Sequence, residues 1–153
     1  INMSQKKNCD AGFSMIEILV VLSIAAIMMV MAVTNINALS NPSVTSVNQV
    51  MGILKLARAR AIATTSPYLV VPVGRIKVVG KRATTCNDSS PTLDPHVSYD
   101  LPEGVTFANS SWSVCYSSRG IASTGVDISI TDQKGVTKIV EVMRGGAVRI
   151  KPN

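Results

Sequence analysis

The sequence is poor in the side chains from which most catalytic sites are built. Its 153 residues include one histidine, three cysteines, one tryptophan, three tyrosines and two phenylalanines. A Ser-His-Asp or Cys-His site would depend on His96, which is interpreted as an ordinary loop residue between Pro95 and Val97. The Walker A loop and the GxGxxG pattern, which bind nucleotide phosphates, are also missing. We therefore expect no enzymatic activity and no cofactor.

The metal-binding side chains form no recognisable site. No CxxC or HxxxH spacing occurs, and the aspartates are scattered without the spacing of a calcium loop. One histidine and so few cysteines do not supply the four ligands of a structural zinc site. We expect no metal.

What the sequence does have is one long apolar segment with a carboxylate at its edge. From Ile18 to Val33 the only polar side chain is Ser23, and residues 13–33 are about as many as the roughly 20 that a helix needs to cross a bilayer. An unpaired acid near the centre of such a helix costs about 2.5–3.5 kcal/mol, so Glu17 is expected to have a cationic partner. Lys6 and Lys7 precede the segment, which predicts a cytoplasmic N-terminus by the positive-inside rule.

The residues around this acid resemble a known processing signal. The stretch from Gly12 to Leu22, Gly-Phe-Ser-Met-Ile-Glu-Ile-Leu-Val-Val-Leu, resembles the class III signal of type IV pilins and type II secretion pseudopilins. In that superfamily a prepilin peptidase cuts after the glycine and methylates the new terminus. The resemblance implies a leader at residues 1–12, a cut between Gly12 and Phe13, and an assembly role for Glu17. That role is pairing with the terminal ammonium of a neighbouring subunit.

An ordinary secretory signal or a simple signal anchor is the alternative for this segment. A secretory signal has its small-residue cleavage site after the apolar region, whereas the candidate Gly12 lies before it. Residues 34–38, which follow the apolar run, match such a site only weakly. The sequence therefore favours a mature protein that keeps its apolar helix.

Beyond the apolar run, residues 35–65 are predicted to continue as an amphipathic helix. Apolar residues recur there at steps of three and four, namely Val44, Val47, Met51, Leu54, Ala57 and Ala61. Pro42 cannot donate a backbone hydrogen bond, which predicts a kink or a short break near that residue. Thr64-Thr65-Ser66-Pro67 is predicted to end the helix.

Residues 66–153 are predicted to form a β-rich head. Short runs of β-branched and aromatic residues are separated by turn residues, which is typical of antiparallel sheets. The predicted strands are Tyr68 to Val73, Ile76 to Val79, Val97 to Tyr99, Val105 to Ala108, Trp112 to Tyr116, Val126 to Thr131, Lys138 to Val142 and Val148 to Ile150. The polar stretch from Lys81 to Pro95 is predicted to be a long surface loop. The fold class is α+β: a long N-terminal helix, with transmembrane residues 13–34, packed on a small antiparallel sheet head.

Two cysteines remain if the leader, with Cys9, is removed. In the oxidising compartment that the topology implies, Cys86 and Cys115 are expected to form a disulfide. Two separate buried thiols are the alternative, because sequence does not show whether the Cα atoms are close enough.

The order of elements in the head resembles one branch of the superfamily. Minor pilins and pseudopilins with the FimT/GspH-type head have a tryptophan before a Cys-aromatic-Ser sequence, here Trp112 and Cys115-Tyr116-Ser117. A closing Gly-Gly-x-Val-Arg strand follows, here ending at Arg149. The resemblance implies a minor subunit. Trp112 and Tyr116 are four residues apart and are interpreted as core residues that share a strand face, with a ligand platform as the alternative.

The basic C-terminal region is the candidate binding surface of the head. Relatives of the FimT type bind DNA through arginines near the C-terminus, and the candidates here are Arg119, Lys138, Arg144, Arg149 and Lys151. The Gly-Arg-x-Arg signature associated with that activity is absent. A solvated basic face or contacts between pilins are the alternatives, and no aromatic cluster lies there to stack bases.

These observations predict a minor pilin or pseudopilin with a structural, priming or tip role in a type IV pilus or a type II secretion pseudopilus. The alternatives are a DNA-uptake receptor and a bitopic membrane protein with a binding head. The implied partners are other pilin or pseudopilin subunits, the prepilin peptidase and the pilus assembly platform. The expected location is the bacterial inner membrane, crossed once with the head in the periplasm, and then the filament, which can reach the cell surface.

Overall fold

The computed structural model describes residues 14–39 and 41–152. Its contacts divide the chain into two units, residues 1–40 and residues 41–153. The first contains helix α1 (Met15–Leu39), and the second contains helix α2 (Pro42–Ala63) followed by the β strands. Gly12 and Phe13, the predicted processing residues, lie outside the described residues, as does Cys9.

Helix α1 begins where the backbone carbonyl of Ser14 accepts hydrogen bonds from the amides of Glu17 and Ile18. Glu17 therefore lies in the first turn, where the helix dipole favours a negative charge. The hydroxyl of Ser23 donates to the carbonyl of Val20 at 2.8 Å, so the one polar side chain of the apolar run is satisfied within the helix. Within the described part of the chain, no helix is both long and apolar enough to cross a membrane.

The break predicted near Pro42 is a change from one helix to the next. Asn41 has an extended backbone and Pro42 is the first residue of α2, a position that tolerates proline because its missing amide would have no partner there. Two buried serines satisfy their hydroxyls locally: Ser43 donates to Asn41 Oδ1 and Ser46 donates to the Pro42 carbonyl, each at 2.7 Å.

The predicted end of the helix is confirmed in detail. Thr65 has a φ of 47°, the left-handed conformation that stops a helix. Its amide donates to the carbonyl of Ile62, and the amide of Ser66 donates to that of Ala61. These are the two hydrogen bonds of a Schellman motif, so the chain turns sharply before Pro67 and enters the first strand.

The head contains two four-stranded antiparallel sheets. Sheet one has the order β3-β2-β1-β5, and sheet two has the order β4-β6-β7-β8. The strands are β1 (Tyr68–Val73), β2 (Lys77–Arg82), β3 (Thr92–Asp100), β4 (Thr106–Phe107), β5 (Val114–Tyr116), β6 (Val126–Thr131), β7 (Thr137–Val142) and β8 (Val148–Lys151). The α+β class and the antiparallel head that the sequence predicted are confirmed.

Helix α2 packs against strands of both sheets. Its buried apolar residues are Val47, Val50, Leu54, Ala57 and Ala61. The predicted apolar face was wrong at Val44, which is 40% exposed, because the serines at positions 43 and 46 are buried instead. Trp112 and Tyr116 are both buried, which confirms that they belong to the core, and the ring of Trp112 meets that of Phe107 edge to face at 5.4 Å. Trp112 itself lies just before β5.

The predicted loop from Lys81 to Pro95 was too long at both ends. Strand β2 continues to Arg82 and β3 already begins at Thr92, with a bulge where Gly80 pairs with Asp94 and Val79 pairs with Ser98. His96 lies exposed in this bulge. The remaining loop is joined to β5 by a disulfide between Cys86 and Cys115, whose Cα atoms are 5.7 Å apart.

A polar cluster around Asp94 holds the bulge against β1 and α2. The Asp94 carboxylate accepts hydrogen bonds from the Tyr68 hydroxyl at 2.9 Å and from the His96 amide at 3.0 Å. Arg60 of α2 lies 3.7 Å from the same carboxylate. Burial raises the pKa of Asp94, but these hydrogen bonds and the charge of Arg60 outweigh burial and leave the pKa below its usual value.

Tyr116 generates a prediction about alkaline pH. Its hydroxyl is buried and has no hydrogen-bond partner among the described residues, and burial raises its pKa to about 12, although the charge of Arg58 opposes the shift. The pKa of this phenol is about 10 in the unfolded chain and about 12 in the folded protein. Its contribution to stability is therefore fully present below pH 10 and is lost as the pH rises towards 12. We expect the free energy of unfolding of Tyr116→Phe to fall by about 2–3 kcal/mol less than that of the wild type at alkaline pH, because phenylalanine does not ionise. At pH 7 its stability is expected to be equal to or higher than that of the wild type. Urea unfolding at several pH values measures both effects, and equal alkaline losses in the two proteins would contradict the assignment.

Candidate functional site

Two surfaces carry the candidate functional residues, one in each unit of the chain. The first is the described part of α1 up to Met29, on which every side chain is exposed. The large apolar residues there are between 51% exposed, at Ile18 and Val20, and 86% exposed, at Met15. Glu17 lies among them and lines a surface hollow with Ile18, Val21 and Leu22. This surface, residues 14–29, is called the assembly surface below.

A helix that is apolar on all sides is stable in proteins only when its whole circumference is covered by lipid or by other protein. The assembly surface has this character, with one carboxylate near its N-terminal end. Its chemistry therefore suits association with other apolar helices and with a cation close to Glu17.

The second surface lies in the head, where the five predicted DNA-binding residues do not form one cluster. Arg149 of β8 forms an ion pair with Glu141 of β7, directly opposite in the strand register. Lys151 donates to Asp127 of β6 at 2.8 Å. The pKa of Lys151 is raised, first by this hydrogen bond and then by the charge of the same carboxylate. Two of the five cations are thus already paired with carboxylates.

The other three predicted cations are divided between two places. Lys138 lies in the body of β7, whereas Arg144 lies in the turn after that strand, about 20 Å further along an extended chain. Arg119 lies in the turn between β5 and β6 and is exposed, as is Arg144. The structure brings the turns of Arg119 and Arg144 together and leaves Lys138 apart from them.

Arg58 of α2 joins these two turns, and it was not among the predicted site residues. Its Nε donates to the Gly120 carbonyl at 2.9 Å, and one of its terminal nitrogens lies 3.5 Å from the Gly145 carbonyl. Gly120 and Gly146 have φ values of 74° and 81°, and a Cβ added at Gly146 would clash with the Gly120 carbonyl oxygen. One guanidinium therefore holds the helix and both turns in close contact. We call this arrangement the Arg58 clamp.

Beside the clamp, an open groove of about 430 Å³ runs between α2 and the turn from β7 to β8. It is lined by Lys55, Arg58, Ala59, Ile62, Gly146, Ala147 and Val148. Positions 55, 58, 59 and 62 lie on one face of a helix, so their spacing could have indicated this side of the groove but not the β7–β8 turn that forms the other side.

The clamp is expected to contribute measurably to stability. In Arg58→Met the Gly120 carbonyl would lose its charged donor in a partly buried place, and we expect the free energy of unfolding to fall by about 1.5–3 kcal/mol. Lys55→Met is the matched control, because Lys55 is exposed on the same face and is expected to change stability by less than about 0.5 kcal/mol. Equal urea midpoints for Arg58→Met and the wild type would show that the clamp contributes nothing.

Comparison with known proteins agrees with the sequence motif and with the fold. Residues 7–33 match the family described as the prokaryotic N-terminal methylation motif. No curated protein matches the sequence of this chain. The structure is similar to the type IV minor pilin FimU of Pseudomonas aeruginosa, with a TM-score of 0.57 and 10% identity over 72% of this chain and 88% of that one.

The structure is also similar to the minor pseudopilin EpsH from the type 2 secretion system of Vibrio cholerae. That likeness has a TM-score of 0.56 and 16% identity, and it covers 72% of this chain and 97% of the other. At such low identity the likeness to both structures shows the fold alone. The N-terminal methylation motif and this shared fold together support the resemblance of this chain to type IV pilins and type II secretion pseudopilins.

Proposed function

We propose that the chain is a minor subunit of a type IV pilus or a type II secretion pseudopilus, with a structural, priming or tip role. In this proposal the prepilin peptidase cuts between Gly12 and Phe13, and the mature protein assembles through its N-terminal helix. The observation that supports it most directly is the methylation motif at residues 7–33, which includes Glu17 and the whole assembly surface. The pilus assembly platform and other subunits are the expected partners.

Before assembly, the subunit is proposed to wait in the inner membrane with its head in the periplasm. The apolar run from Ile18 to Val33 and the lysines before it support this location. In the filament, the same apolar side chains pack against the helices of neighbouring subunits. Membrane and filament then cover the assembly surface in turn, so the surface is never left in water.

Glu17 is proposed to select both the partner and the register. A carboxylate and an ammonium in apolar surroundings each carry a large desolvation penalty alone, and the penalty is reduced when the two are paired. Processing before Phe13 creates such an ammonium on every subunit. Pairing Glu17 of one subunit with the terminus of its neighbour therefore favours one axial offset between the two helices over all others.

The DNA-uptake receptor has less support than the structural role. Arg149 and Lys151 are paired with carboxylates, so phosphates would have to displace those partners, and Lys138 lies apart from the arginine turns. Binding of DNA to the head remains a prediction, with Arg119 and Arg144 as its candidates. The bitopic protein with a binding head requires an uncut leader, which the methylation motif disfavours.

The role of Glu17 can be tested by removing its charge. We expect Glu17→Ala to enter the membrane normally but to fall at least about tenfold in sheared filaments, because the pairing that favours assembly is lost. Glu103→Ala is the matched control, since Glu103 is an exposed carboxylate of the head. Quantitative immunoblots of membrane and filament fractions give the ratio. Normal incorporation of Glu17→Ala would contradict the role assigned to this residue.

A further inference from the structure

The groove beside the Arg58 clamp has the chemistry of a peptide-binding site. We propose that it binds an extended acidic segment with aliphatic side chains, supplied by a partner subunit of different sequence. This inference rests on the proposed function, because a filament subunit is surrounded by other subunits. It concerns the head, however, and is independent of how Glu17 acts in assembly.

The charge of the groove points to an acidic partner. Lys55 and Arg58 line it, and the turns that carry Arg119 and Arg144 lie at the clamp. Among the described residues, ion pairs involve Arg60, Lys77, Arg149 and Lys151, and none involves these four cations. In the part of the chain that the structure describes, no carboxylate lines the groove. The cations of β8 are paired with carboxylates of the head, whereas the cations at the groove are available to a carboxylate of a partner.

The remaining lining of the groove points to a protein and not to a nucleic acid. Ala59, Ile62, Ala147 and Val148 give it an apolar floor, and Ile62 is 49% exposed. Ile121, in the turn that lies against the clamp, is 50% exposed. Aliphatic side chains of a partner would cover these surfaces, whereas a phosphate backbone would not. Within residues 14–39 and 41–152, no aromatic side chain on which a base could stack lines the groove.

The partner is expected to be a different protein and not a second copy of this chain. The formal net charge of +6 makes an approach between two copies repulsive on average. A partner that presents carboxylates to the groove is instead attracted, and its encounter is faster at low salt.

The groove is also preorganised for binding. The Arg58 clamp fixes α2 against both turns, and the close contact of Gly120 with Gly146 leaves no space for a side chain between them. A rigid site loses little conformational entropy when a segment binds, so even a short peptide can bind measurably.

The test uses the full chain in detergent micelles and a fluorescent peptide of alternating glutamate and leucine, with binding followed by anisotropy. We expect Lys55→Glu to weaken binding about tenfold, because an attraction becomes a repulsion inside the groove. Ala59→Glu, which places a carboxylate on the floor, is expected to weaken it by a similar factor. Lys134→Glu is the matched control: it makes the same change of charge at an exposed turn outside the groove and is expected to bind like the wild type.

Three results would overturn the proposal. One is equal affinity for the wild type and for both groove variants. Another is equal binding of a peptide in which serine replaces leucine, since the apolar floor would then have no role. The third is tighter binding of duplex DNA that Lys55→Glu abolishes, which would make the groove a nucleic-acid surface. Thermal unfolding of each variant shows that it is folded, and the filament assay on Glu17→Ala tests the proposed function separately.

Discussion

The head depends on one buried face of helix α2. Residues from Val47 to Ala61 on this face are fully buried against strands of both sheets, and small side chains at Ala57 and Ala61 allow the strands to approach closely. The other face carries Arg58, whose contacts hold the turns of β5–β6 and β7–β8. Loss of α2 would therefore remove part of the core and also the contact between those turns. The helix both completes the core and shapes the groove.

The two units of the chain differ in how much of their apolar surface they bury and in how their charges are paired. The head buries its apolar side chains in a continuous core and pairs the carboxylates of β6 and β7 with cations of β8. On α1, the apolar side chains from Met15 to Met29 are all exposed. A protein with such a segment needs an apolar environment from elsewhere, and in the proposed function the membrane and then the neighbouring subunits provide it.

The sequence predicted those features that depend on local chemistry. Strands β1 and β6 have the predicted bounds, and the helix ends where Ser66 and Pro67 indicated. Strand β3 was predicted too short because Asp94 and Pro95 are typical of loops, while here they lie next to a bulge. Ser43 and Ser46 were not expected in the core because serine is polar. They can be buried because their hydroxyls donate to residues at the start of the helix. Each of these errors comes from hydrogen bonds that polar residues make at the ends or irregularities of an element.

The candidate site in the head could not be predicted, because it depends on contacts between distant parts of the chain. Arg58 bonds to carbonyls 62 and 87 residues later, and backbone carbonyls leave no signal in a sequence. From the sequence, Arg149 and Lys151 were candidates for binding DNA phosphates. The strand order, which the sequence does not show, places Glu141 and Asp127 beside them. The assembly motif, in contrast, is contiguous, and for that reason the sequence predicted it.

The central claim is that this chain is processed as a filament subunit, and the mass of the N-terminal peptide tests it most directly. The protein would be taken from a membrane that contains the prepilin peptidase, digested and analysed by mass spectrometry. Our account predicts a peptide that begins at N-methylated Phe13. An intact leader, or a terminus beyond Val33, would contradict it.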